Sequence, residues 1–133
     1  ILTMLISFNG MEANAGAVKT FGNVEMAPRW ELLGSKKVNY GLDRDEIKVT
    51  FREGVFSRMK LKVLKGGVNM HKVVVHFGNG ESQEIALRNN FRRGSESRVI
   101  DLNGGNRVIQ KVVFWYDSKN ISRRRAQIQL WAI

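Results

Sequence analysis

The chain has 133 residues, 43% hydrophobic and 26% charged, a composition that supports one domain with its own core and excludes a disordered chain. It has no cysteine, which excludes disulfides, thiolate metal centres and cysteine nucleophiles. The net charge is +10, and its excess is one-sided: residues 1–55 hold seven Lys/Arg and seven Asp/Glu, residues 56–133 fifteen and five, an asymmetry that favours acidic partners.

The chain opens on an apolar run from Ile1 to Phe8, followed by a polar spacer and Ala13-Asn14-Ala15 before Gly16. That order matches the hydrophobic core and small-residue cleavage site of a secretory signal peptide. The run is far too short to cross a bilayer as a helix, and no other segment is longer. The expected organisation is therefore residues 1–15 as the remnant of a signal peptide, 16–29 as an N-terminal extension and 30–133 as a β-domain, secreted or periplasmic.

From Trp30 onward, apolar residues recur with period two between glycine and asparagine breaks. This predicts strands near 30–38, 46–52, 57–64, 71–77, 82–88, 97–102, 107–116 and 124–132. Eight short strands with turn signals predict an all-β fold, an antiparallel β-sandwich of jelly-roll or Greek-key type. In "LDRDEIKV", Asp43, Asp45 and Glu46 precede a strand; they are too few for a Ca²⁺ site and read better as a turn balanced by Arg44 and Lys48. "SRMKLKV" puts Met59, Leu61 and Val63 on one face and Arg58, Lys60 and Lys62 on the other, as expected of a sheet with one wet face.

His71 and His76 stand five apart on a predicted strand, hence on opposite faces, where they cannot share a metal. "VVVHF" and "VVFWY" are nearly continuous apolar runs, as central strands require. "FGNGES" and "LNGGNR" carry residues that accept positive φ and predict hairpin turns. Ser95, Ser97 and Asp101, with a histidine, make Ser-His-Asp catalysis formally possible, but no G-x-S-x-G elbow accompanies them. No phosphate-cradling glycine motif occurs.

Two basic clusters flank predicted strand ends. Arg88, Arg92, Arg93 and Arg98 surround a loop with Phe91 and Gly94, and Arg123, Arg124 and Arg125 precede the last strand. Guanidinium groups donate paired hydrogen bonds to phosphate, sulfate or carboxylate. The two clusters are expected at one rim, as a single anion site.

The last two predicted strands suggest a second surface. Paired as a hairpin around Asn120, they set Trp115 against Arg125 and Ile109 against Trp131. Trp115, Trp131, Gln127 and Gln129 then share an outer face, with Phe114, Ala126, Ile128 and Leu130 inside. Aromatic faces with amides beside them suit stacking on sugars or bases.

The succession "WELLGSKKV", "LDRDEIKV", "FSRMKLKV", "GSESRVIDLNGGNRVIQKVVFWYD" and "RAQIQLWAI" resembles a family of exported bacterial proteins, one of the domains of unknown function. The resemblance covers residues 30–133, with "SRVIDL…GGNRVIQKVVFWY" its most specific part. It implies a small β-sandwich behind a signal peptide and carries over no catalytic residue, metal or cofactor. The expected function is a non-catalytic exported binding module for an acidic polymer or anionic surface, whether glycan, lipid headgroup or nucleic acid. A protein partner, a carbohydrate-binding module with an aromatic platform, and a hydrolase using Asp43, Asp45 or Asp101 are the alternatives.

Overall fold

The computed structural model describes residues 19–21, 24–26, 29–38, 44–50, 53–117 and 125–133; the expected signal-peptide remnant, Asp43, Arg123 and Arg124 lie outside them. Eleven strands occur among the described residues and no α-helix. They are β1 (Lys19–Phe21), β2 (Val24–Met26), β3 (Glu31–Lys37), β4 (Arg44–Lys48), β5 (Arg58–Leu64), β6 (Val68–Phe77), β7 (Ser82–Ile85), β8 (Asn89–Phe91), β9 (Ile100–Asp101), β10 (Ile109–Asp117) and β11 (Gln127–Ala132). β1 and β2 pair with each other. The other nine form two antiparallel sheets, ordered β4-β10-β6-β7, with β8 also on β6, and β3-β11-β5-β9.

β7 and β8 are two halves of one interrupted edge strand, since both pair with the same side of β6. Between them the Leu87 N–H turns back to the Ile85 carbonyl and the Leu87 side chain enters the core. With that edge counted once, the strands from β3 to β11 run first-eighth-third-sixth in one sheet and second-seventh-fourth-fifth in the other. This is the double Greek key of a jelly roll. The expected central strands are central: β6 and β10 lie side by side in the first sheet.

Alternation explains the core. Met59, Leu61 and Val63 of β5, Ile128 and Leu130 of β11 and Phe114 of β10 are all fully buried. The Phe114 and Tyr116 rings pack tilted, 5.9 Å apart. Two seams close the sandwich at its sides. At one, Gly34 of β3 leaves room for Ile47, whose Cγ2 would stand 2.7 Å from a Cβ at that position, and Lys36 pairs with Asp45 at 3.6 Å. At the other, the Gln83 amide donates to the Asp101 carbonyl and accepts from the Asn103 N–H. Arg98 donates to the Ala86 carbonyl at 3.0 Å.

Three sequence expectations are corrected. β10 and β11 are not a hairpin; they are central strands of opposite sheets. β10 already has β4 and β6 on its two edges, so the chain crosses over and β11 inserts between β3 and β5. "LNGGNR" likewise joins β9 to β10 across the sheets rather than within one, with Gly104 and Gly105 at φ of +89° and +82°. The third correction concerns the histidines. The β6–β10 register slips by one residue at His71, and this bulge places His71 on the Asp117 side, so that both histidines share the outer face.

Ser97 is a buried polar residue at the β5 edge. Its Oγ accepts from the Leu61 N–H at 2.9 Å and donates to the Arg98 carbonyl at 2.8 Å. Ser97→Ala removes the acceptor and strands a buried N–H, which costs about 1–3 kcal/mol. Urea denaturation measures it; a loss below about 0.5 kcal/mol would mean that the Leu61 N–H finds another acceptor.

Candidate functional site

The antiparallel registers determine which loops share an end of the sandwich. Gln127 pairs with Lys37 on one side and Leu64 on the other. Val68 pairs with Phe91, Asn69 with Asp117 and Arg44 with Trp115. The C-terminal ends of β3, β5, β8 and β10 and the N-terminal ends of β4, β6 and β11 therefore meet at one end. Arg44, Lys37, Lys65, Arg92, Arg93 and Arg125 are gathered there, all exposed.

Local geometry holds the two arginine-bearing segments in place. The turn after β8 docks on β5: the Gly94 N–H donates to the Val63 carbonyl at 2.7 Å and the Val63 N–H to the Ser95 carbonyl at 2.9 Å. Gly94 has a φ of +83°, a conformation open to glycine at no steric cost. Arg125 leads into Gln127 on the other side of β5, so two strand spacings, roughly 10 Å, separate the backbones of the two segments. Lys65, between them at the end of β5, has a φ of +69°, a position where a non-glycine residue is uncommon.

Of the arginines singled out by sequence, Arg92, Arg93 and Arg125 thus converge. Arg88 lies along the adjacent edge just before β8 and is exposed. Arg98 stands apart, committed to the Ala86 carbonyl across the seam. Lys37 and Lys65 belong to the same end and were missed, since neither sits in a charge cluster conspicuous in the sequence. Among the described residues the ion pairs are Lys36–Asp45, Lys60–Glu96, Arg107–Glu81 and Lys111–Glu46, with His71 hydrogen-bonded to Asp117. None of them takes Lys37, Lys65, Arg92, Arg93 or Arg125.

Apart from the His71–Asp117 contact, the carboxylates and histidines singled out by sequence lie apart from one another. Asp45 accepts from the Glu46 N–H and pairs with Lys36. Asp117 accepts from Asn69 at 3.0 Å and meets His71 Nε2 at 2.6 Å. Asp101 lies opposite Arg58 on β9. Ser95 Oγ donates to the Arg92 carbonyl and Ser97 Oγ serves Leu61, so neither hydroxyl meets a histidine. No group of three His, Asp or Glu residues suited to a metal occurs among the described residues.

At the remote end of the sandwich Arg107 is held by its neighbours. Arg107 stacks over Phe77 at 3.8 Å and donates to Asn79, Asn103 and Glu81. Hydrogen bonding from Asn79 and then Arg107, with the charge of Arg107, holds the Glu81 carboxyl below its usual range.

The four platform residues do not form one surface. Trp115 is on the outer face of the β4-β10-β6 sheet, with Lys72 4.4 Å and Arg44 5.6 Å from its ring centre. Gln127, Gln129 and Trp131 are on the outer face of the other sheet, opposite the core-facing Ile128 and Leu130. There Trp131 faces Lys60 across the β5–β11 ladder, and the Lys60 ammonium lies 4.5 Å from the centre of the Trp30 ring. Trp30 precedes β3, and nothing in its sequence surroundings marks it as part of that face.

The chain belongs to the family described as Domain of unknown function (DUF2541), whose model matches residues 2–132. No curated protein and no solved structure matches it.

Proposed function

We propose that this member of the DUF2541 family is a non-catalytic binding module, exported to the periplasm or beyond, that engages an anionic partner at the basic end of its sandwich. The observation that carries the reading is the convergence of Lys37, Lys65, Arg92, Arg93 and Arg125, none of them in an ion pair among the described residues. Asp45 and Asp117, the carboxylates at this end, are engaged by Lys36 and His71 rather than by any of these five cations. Like charges held together repel in the free protein, and an incoming polyanion relieves that repulsion while releasing its own counterions. Export rests on the Ile1–Phe8 run and Ala13-Asn14-Ala15.

The test is calorimetric titration with inorganic polyphosphate over a range of salt concentrations. Each neutralised contact adds close to one unit to the slope of log affinity against log salt, so engagement of the basic end gives a slope of about −3 or steeper. An affinity indifferent to salt would exclude the reading.

A further inference from the structure

The outer face of the β3-β11-β5-β9 sheet carries a second group of residues that the basic end does not use. Along β11 the outward side chains are Gln127, Gln129 and Trp131, all half-buried. The Trp131 indole N–H donates to Gln129 Oε1 at 3.1 Å. These residues are two apart on one face, so that bond requires the indole to lean back along the strand toward Gln129. Lys60 and Lys62 of β5 flank the row opposite Trp131 and Gln129. Trp30 is held over this face by its contact with the Lys60 ammonium, and Leu32, paired with Trp131, is 46% exposed.

The amides are half used. Gln129 spends its oxygen on Trp131 and keeps its Nε2 donors; Gln127 spends its nitrogen on Ser35 Oγ at 3.2 Å and keeps its Oε1 acceptor. A row offering a free donor and a free acceptor beside indole rings suits a ligand whose edge groups both donate and accept. Hydroxyls do so, whereas phosphate oxygens only accept. Indole rings stack on the apolar faces of sugar rings. The nearby charge is mainly positive: Lys60 is paired with Glu96 at 3.3 Å, Lys62 makes no ion pair among the described residues, and Lys37, opposite Gln127, links this face to the basic end.

We propose that this face is a saccharide-stacking platform and that the anionic partner is an acidic polysaccharide, its rings on Trp131 and Trp30 and its carboxylates or sulfates reaching the lysines and the basic end. The inference rests on the anion-binding reading for the charge of the ligand and on the platform for its rings. Trp115, on the opposite sheet, takes no part.

Titration of the full chain with polygalacturonate, inorganic polyphosphate and oligothymidylate separates the two claims. Trp131→Ala and Trp30→Ala are each expected to weaken polygalacturonate binding tenfold or more, to leave polyphosphate binding within twofold, and to keep the urea midpoint measurable. Trp30 lies outside the core cluster, so its variant preserves the test should Trp131→Ala fail to fold. Equal losses for polygalacturonate and polyphosphate, or no loss for either, would overturn the platform. So would tryptophan-dependent binding of oligothymidylate tighter than that of polygalacturonate, which would mean base stacking. If polyphosphate fails to bind while polygalacturonate binds through both tryptophans, the basic-end reading falls and the platform stands.

Discussion

Phe114→Ala is expected to destabilise the fold by about 3–5 kcal/mol, the range for removing a buried phenyl ring and leaving a cavity. Phe114 is fully buried between the inner faces and packs against Tyr116, so no solvent can refill its place without wetting the core. The neighbouring Trp115→Ala is expected to cost about 1–2 kcal/mol. It removes a half-exposed ring from the outer face and with it the contacts of Lys72 and Arg44, each worth about 0.5–1 kcal/mol at an exposed site. Urea midpoints at unchanged slope measure both. Equal losses for the two variants would mean that the outer face at Trp115 is packed as tightly as the core.

The second large effect separates a site from a net charge. Arg92→Glu with Arg125→Glu, and Arg29→Glu with Lys48→Glu, each change the charge by four and take the chain from +10 to +6. The first pair lies at the basic end. The second lies toward the other end, where Glu31 pairs with Ala132 and Lys48 with Lys111. Reversal at the basic end is expected to weaken polyphosphate binding on the order of a hundredfold at low salt and to flatten its salt slope by about two units. Reversal at the other end should change affinity by less than about threefold, since distances beyond a Debye length of roughly 10 Å at 0.1 M salt are screened. Equal effects of the two pairs would reduce the basic end to a share of the overall charge.

The facing of the strand residues was legible in the sequence except where the β6 bulge displaces His71. Side chains on a strand alternate with the backbone pleat, a local property independent of the neighbouring strand. Met59, Leu61 and Val63 could therefore be assigned inward and Gln127 and Gln129 outward before any partner was known. Gly78-Asn79-Gly80 similarly identified the β6–β7 turn, where Gly80 has a φ of +93°. The edge strand β8 escaped notice because its three residues are too few to show a period.

Apart from the β6–β7 hairpin, strand neighbours were decided by the tertiary structure alone. Alternation in β10 and β11 is compatible with a hairpin or with two sheets, and the choice depends on β4 and β6 already occupying both edges of β10. The same non-local register inserts an extra residue at His71, separates Trp115 from Trp131, and brings Trp30 to Lys60. It also carries Arg92 and Arg93 to the end that holds Arg125, Lys37 and Lys65. These residues come from segments far apart in the chain, and only the crossing of strands between two packed sheets determines which of them share an end. Period two therefore determined which side chains face the core, while the jelly-roll topology decided which of the outward ones meet.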